Sequence, residues 1–93
     1  MKFKEIPIEG SYLIELEPIK DERGFFSRIF CSKEFSNMSL NSNWRQVNSA
    51  FNIKKGTLRG LHFQVGKDSE VKLVKCIKGS IWDVFVDLRA NSK

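Results

Sequence analysis

From Trp44 to Arg89 the chain is cut by single glycines at 56, 66 and 79 into four short runs rich in β-branched and aromatic residues. This punctuation constrains the fold more than any other feature. The runs Trp44 to Ile53, Thr57 to Val65, Val71 to Lys78 and Ser80 to Arg89 carry the residue types that suit a pleated, half-buried surface. Each glycine stands where a turn can require a positive φ. The last run alternates most clearly. Trp82, Val84, Val86 and Leu88 fall on one face, and Ile81, Asp83, Phe85 and Asp87 on the other. Two carboxylates among apolar residues fit a wall facing a polar cavity, and fit a solvent-facing wall equally well.

The first half reads in the same way. Tyr12 to Glu17 is strand-like and stops at Pro18, Lys20 to Gly24 is a polar turn, and Phe25 to Cys31 is a second aromatic strand. Ser32 to Met38 has the look of one or two helical turns, with Ser32 placed to cap them. Asn41 to Asn43 is a loop. Many short strands with turns between them predict an all-β sandwich or barrel with one short helix. Without a linker or repeat, residues 1–93 read as a single domain.

Composition narrows the function. Hydrophobic residues at 41% and charged residues at 29% fit a soluble globular chain. No apolar run approaches the roughly 20 residues that a membrane span needs. Met1 to Pro7 lacks the apolar core of a secretion signal, which predicts a cytoplasmic location. The net charge is +5, but Lys and Arg are dispersed, and the largest local group is Lys54-Lys55 before Gly56. A nucleic-acid interface concentrates its cations on one face or arm. Dispersed cations fit a solvated surface with a few reserved for a small anionic ligand. Cys31 and Cys76 predict reduced, half-buried thiols rather than a disulfide. One histidine and two cysteines lack the spacing of a structural zinc site.

His62 is the only histidine. A lone histidine in a strand is more often packed or solvated than catalytic. Its surroundings alter that reading. Asp21-Glu22-Arg23-Gly24-Phe25-Phe26, Gln46-Val47-Asn48, Leu58-Arg59-Gly60-Leu61-His62-Phe63-Gln64, Lys72-Leu73-Val74-Lys75-Cys76 and Asp83 to Arg89 follow one another in this order. Together these blocks resemble the dTDP-4-dehydrorhamnose 3,5-epimerase family over nearly the whole chain, and the block from Leu58 to Gln64 is the most specific. The resemblance implies a cupin-type jelly roll, here its N-terminal half, acting as a homodimer on a dTDP-linked 4-keto-6-deoxy sugar. It implies His62 as the base. It carries the family's substrate contacts onto Arg23, Gln46, Asn48, Arg59 and Lys72.

Elementary chemistry agrees with those roles. A 4-keto group acidifies the C–H bonds at C3 and C5, and neutral imidazole is a suitable base near working pH. The enolate so formed is stabilised by a fixed cation, for which Lys72 is the candidate. A diphosphate matches the planar fork of Arg59 and Arg23. Gln46 and Asn48 share parity and can face one cavity. Each also has a plain structural alternative: Arg23 as a turn residue, Lys72 as a solvated lysine, Gln46 and Asn48 as the polar face of an edge strand. A single histidine cannot supply the multi-histidine set of metal-binding cupins, so the expected chemistry uses neither metal nor cofactor.

Three features set limits. Arg59 and His62 are three residues apart, so strict alternation puts them on opposite faces, and a shared cavity requires an irregularity near Gly60. Many family members have Glu where this chain has Arg28, which leaves open a single-site epimerase or keto-isomerase of the same fold. The resemblance also assigns a reprotonating tyrosine and a histidine-orienting aspartate to the second half of family members, whereas the only tyrosine here is Tyr12. Weak or absent turnover is expected without that tyrosine, and because a half jelly roll exposes strand edges, pairing with another chain or poor solubility alone is expected as well. A binding remnant without turnover, and a basic nucleic-acid-binding β domain, are the competing readings.

Overall fold

The computed structural model describes residues Met1–Ala90. By internal contacts the chain divides into two units, Met1–Asn43 with the segment from Asp87 onward, and Trp44–Val86.

The first unit holds all the strands found among the described residues. Strand β1 (Lys2–Glu5) pairs antiparallel with β2 (Tyr12–Glu15), with Phe3 opposite Ile14 and Lys4 opposite Leu13. Alternation places Phe3, Tyr12 and Ile14 on one face of this hairpin. On the other, Lys4 Nζ reaches Glu15 Oε1 diagonally at 2.8 Å. The connection closes through the Ser11 amide, which donates to the Ile8 carbonyl at 3.1 Å. Strands β3 (Ile19–Asp21) and β4 (Gly24–Phe26) form a second antiparallel hairpin around Glu22-Arg23. Neither Glu22 nor Arg23 has a positive φ, and the reversal is completed at Gly24, φ 135°, a conformation that glycine alone adopts readily.

Helix α1 (Ser32–Asn37) supplies the core of this unit. Phe35 is 1% exposed. Its ring takes the edge-to-face packing that aromatic quadrupoles favour, at 5.5 Å from Phe3 and 4.8 Å from Phe30. The N-cap is Cys31, with no side-chain cap hydrogen bond. The expected cap at Ser32 is therefore corrected: the helix starts one residue earlier than a Ser32 cap requires, and Ser32 is already helical. The C-terminus is a Schellman motif. The Leu40 amide donates to the Phe35 carbonyl and the Ser39 amide to the Ser36 carbonyl, each at 2.9 Å, with Ser39 in the left-handed conformation at φ 57°.

The second unit departs from expectation. Among its described residues there is one 3-10 turn, Gly66–Asp68, and no strand. The runs from Trp44 to Ile53, Thr57 to Val65, Val71 to Lys78 and Ser80 to Arg89 have strand composition but join no ladder. Val47, Leu58 and Trp82 are each 92% exposed, and Ile53 is 89% exposed. Composition and alternation give a strand its face, but a ladder also needs a partner backbone and a layer to cover that face. Short antiparallel hairpins with one short helix are thus the fold class found, and they lie in the first unit. No helix among the described residues is long and apolar enough to cross a membrane.

Candidate functional site

The residues singled out by sequence occupy both units, and each has a distinct local setting. Arg23 sits in the β3–β4 turn. Its backbone N–H donates to Asp21 Oδ1 at 2.8 Å, and its guanidinium reaches Asp21 Oδ2 through Nη2 at 2.6 Å and through Nε at 3.2 Å. The guanidinium bond, followed by the backbone bond, holds the Asp21 carboxyl below the usual carboxylate range, and the same side-chain bond raises Arg23. The turn-residue role of Arg23 is therefore realised in full. The carboxylate also offsets the charge that an anion would read.

Arg28 and Arg89 are paired in the same manner. Arg28 Nη1 donates to Glu34 Oε2 at 3.0 Å, joining the segment after β4 to α1. This bond is the main reason the Glu34 carboxyl lies below its usual range. Arg89 Nη2 bonds Asp87 Oδ2 and the Glu9 carbonyl, both at 2.7 Å, so Arg89 is tied to the β1–β2 connection. Asp87 was placed by alternation on a face with Asp83, but its carboxylate serves Arg89.

The second unit carries Gln46, Asn48, Arg59, His62 and Lys72, all exposed. Lys72 Nζ is 3.3 Å from Glu70 Oε1. Gly60 has φ 94°, and a Cβ built there would lie 3.9 Å from both the His62 amide nitrogen and its Nδ1. The imidazole therefore folds back toward the Gly60 backbone. The expected irregularity near Gly60 is present as this positive φ. No ladder runs through 58–64, so it is a local backbone irregularity and not a bulge between paired strands.

Arg59 has a partner that sequence reasoning missed. Its Nε donates to Asn52 Oδ1 at 2.7 Å. The chain reverses between them at Lys54–Thr57, where the Thr57 hydroxyl donates to the Lys54 carbonyl at 2.7 Å and Gly56 has φ 82°. A reversal centred on Lys55-Gly56 sets Lys54 opposite Thr57 and Asn52 opposite Arg59. That register was present in the Lys-Lys-Gly turn signal and could have nominated Asn52.

The cysteines are free, with Cys31 half-buried and Cys76 exposed. The predicted half-burial thus holds for Cys31 and not for Cys76, which lies in a run that joins no ladder among the described residues. Among the described residues, no three His, Cys, Asp or Glu side chains stand close enough together to hold a metal ion.

Comparison with known proteins adds what geometry alone does not. The family model described as dTDP-4-dehydrorhamnose 3,5-epimerase matches residues 5–93. A protein of that name from Methanothermobacter thermautotrophicus is 42% identical over 98% of this chain and 48% of its own length. Another, from Sinorhizobium fredii, is 37% identical over 99% of this chain and 47% of its own. The Escherichia coli protein of that name is 38% identical over 91% of the chain and 46% of its own. The chain spans about half the length of the curated relatives it matches. No solved structure matches. The chain belongs to the dTDP-4-dehydrorhamnose 3,5-epimerase family.

Proposed function

We propose that this member of the epimerase family belongs to an isomerase that inverts carbon centres beside the 4-keto group of a dTDP-linked 6-deoxy sugar. The observation that carries the reading is the block Leu58 to Gln64, which lies within a family match that runs from residue 5 to residue 93.

In this reading His62 removes the proton from C3 or C5. The electron pair moves onto the former carbonyl oxygen, and Lys72 stabilises the resulting enolate. Arg59 holds the diphosphate, with Arg23 as a second contact whose charge Asp21 partly offsets, while Gln46 and Asn48 hydrogen-bond sugar or phosphate. The exposure of His62 and Lys72 leaves both side chains accessible to a ligand. Inversion is completed when a proton returns to the opposite face of the same carbon. The family resemblance assigns that acid to a tyrosine in the second half of its members. Tyr12, in β2, packs instead against Phe3, ring centroids 6.5 Å apart.

The same reading makes residues 1–93 part of a single cupin-type jelly roll acting in the cytoplasm as a homodimer, without metal or cofactor. The exposed apolar side chains of the second unit favour that completion, since a soluble chain seldom leaves so much apolar surface uncovered.

Isotope exchange tests the base chemistry apart from complete epimerisation. The chain is incubated with a dTDP-4-keto-6-deoxy sugar in deuterated water. Deuterium entering at C3 or C5, and lost in His62→Ala, is the expected result. Exchange no faster than in His62→Ala overturns the catalytic assignment. It would favour the second reading, a cupin that holds a sugar nucleotide without turnover. The half-length match to the relatives keeps that reading in view.

A further inference from the structure

The arginines of this chain are not held alike. Arg23, Arg28 and Arg89 each bond a carboxylate, on Asp21, Glu34 and Asp87. Arg59 bonds a neutral amide oxygen, Asn52 Oδ1, at 2.7 Å. The distinction matters for anion recognition. A carboxylate partner fixes a guanidinium and also offsets its charge. An amide partner fixes it and leaves the charge in place.

The geometry adds a second constraint. A guanidinium presents two forks to a planar anion, one formed by Nε with an Nη, the other by the two Nη groups. Asn52 uses Nε. The side-on fork is thereby engaged, and the end-on fork of paired Nη groups remains for a ligand. The chain reversal at Lys54–Thr57 delivers Asn52 to this place, with Thr57 Oγ1 closing the turn on the Lys54 carbonyl. The turn thus brings the two segments close enough for the short Asn52 side chain to reach Arg59.

We propose that Asn52 is a positioning residue for Arg59: it anchors Nε without neutralising the guanidinium and presents the end-on Nη fork to the diphosphate of the nucleotide. This rests on the assignment of Arg59 to the diphosphate under the proposed function. Asn52 itself does not touch the ligand. Its contribution is to reduce the side-chain freedom that Arg59 loses on binding.

The proposal separates itself from a merely structural role through the sign of one substitution. Asparagine and aspartate have the same shape, and both accept a hydrogen bond from Nε. If Asn52 only braced the turn, Asn52→Asp would be the mild change and Asn52→Ala the severe one. If Asn52 keeps Arg59 fixed and charged, the order inverts, because an aspartate offsets the guanidinium and repels the diphosphate.

Binding of thymidine diphosphate to the full chain, measured by titration calorimetry, reads that order. Asn52→Ala is expected to weaken binding about three- to ten-fold, the loss of one positioning hydrogen bond. Asn52→Asp is expected to weaken it more, about ten-fold or beyond. In an Arg59→Ala background, Asn52→Ala is expected to have no further effect. Thermal unfolding of each variant establishes that the fold is kept. Asn52→Asp binding as well as or better than Asn52→Ala overturns the proposal, as does Asn52→Ala binding like wild type. Arg59→Ala binding as tightly as wild type, or no binding by wild type, overturns instead the assignment of Arg59 to the diphosphate, and the role of Asn52 falls with it.

Discussion

Arg28 and Glu34 form a charged hydrogen bond of 3.0 Å between the segment after β4 and the second half-turn of α1. The pair lies beside Cys31, the N-cap of the helix, and the Arg28 bond is the main cause of the lowered Glu34 pKa. A carboxyl depressed in the folded state contributes stability that is fully present above its unfolded pKa. That contribution is lost as pH falls through the lower, folded value. Arg28→Ala is expected to move the Glu34 titration upward, toward the ordinary glutamate range, and to lessen this acid-limb dependence, the Met1 amino group and Cys31 still acting on Glu34. Carboxyl chemical shifts followed by NMR through an acid titration check it, and an unmoved Glu34 would mean that Arg28 does not hold it.

Phe35 anchors the first unit. Fully burying such a side chain stabilises a fold by about 1.5–3 kcal/mol, and truncation adds the cost of the cavity it leaves. Phe35→Ala is expected to destabilise the first unit by about 3 kcal/mol or more, which can exceed the reserve of a chain this short. Urea unfolding monitored by far-ultraviolet circular dichroism reads the loss. A midpoint shift small enough to match a surface substitution would contradict the packing of Phe3 and Phe30 on this ring.

Ser39 occupies the left-handed position that closes the Schellman motif, with φ 57°. A Cβ there costs about 1–2 kcal/mol, and glycine removes it while giving up some chain entropy. Ser39→Gly is therefore expected to stabilise the chain by roughly 0.5–1 kcal/mol net. A higher urea midpoint at unchanged slope is the signature. A lower midpoint would show that the left-handed turn is not populated in solution.

Gly60 permits the fold-back of the His62 ring. An L-residue at φ 94° is strained, and its Cβ would stand 3.9 Å from His62 Nδ1. The added methyl fits in ordinary contact, so the effect of Gly60→Ala comes from the backbone: it is expected to cost about 1–2 kcal/mol locally and to shift His62 through a changed φ at residue 60. The His62-dependent deuterium exchange should then fall markedly while binding of thymidine diphosphate changes little. Equal exchange in Gly60→Ala and wild type would show that the orientation of His62 does not depend on this backbone.

Much of the local structure was legible in the sequence because it depends on neighbouring residues. The polar turn at Lys20 to Gly24, the short helix after Cys31 and the irregular backbone at Gly60 all follow from steric preferences and contacts within a few positions. The helix cap is not legible in the same way: Ser32 has the side chain of a cap, yet it is already helical and Cys31 holds the N-cap position without a side-chain hydrogen bond. The strands from Trp44 to Arg89 were misread for a different reason. Their composition specified an alternating surface, but pairing is a property of two backbones, and among the described residues none of these runs pairs with another.

The candidate site divides along the same line. The sequence alone determined which residue types are available: one imidazole in a specific Arg-Gly-Leu-His setting, a dispersed set of cations and a family register from residue 5 to residue 93. The tertiary structure decided how those cations are partnered. Arg89 is bonded to the Glu9 carbonyl, far away in sequence, and Arg59 to Asn52 across a chain reversal. A sequence records the charge of a side chain. Only the fold fixes which neighbour shares it, because electrostatic pairing depends on distances of a few ångströms that chain separation does not set.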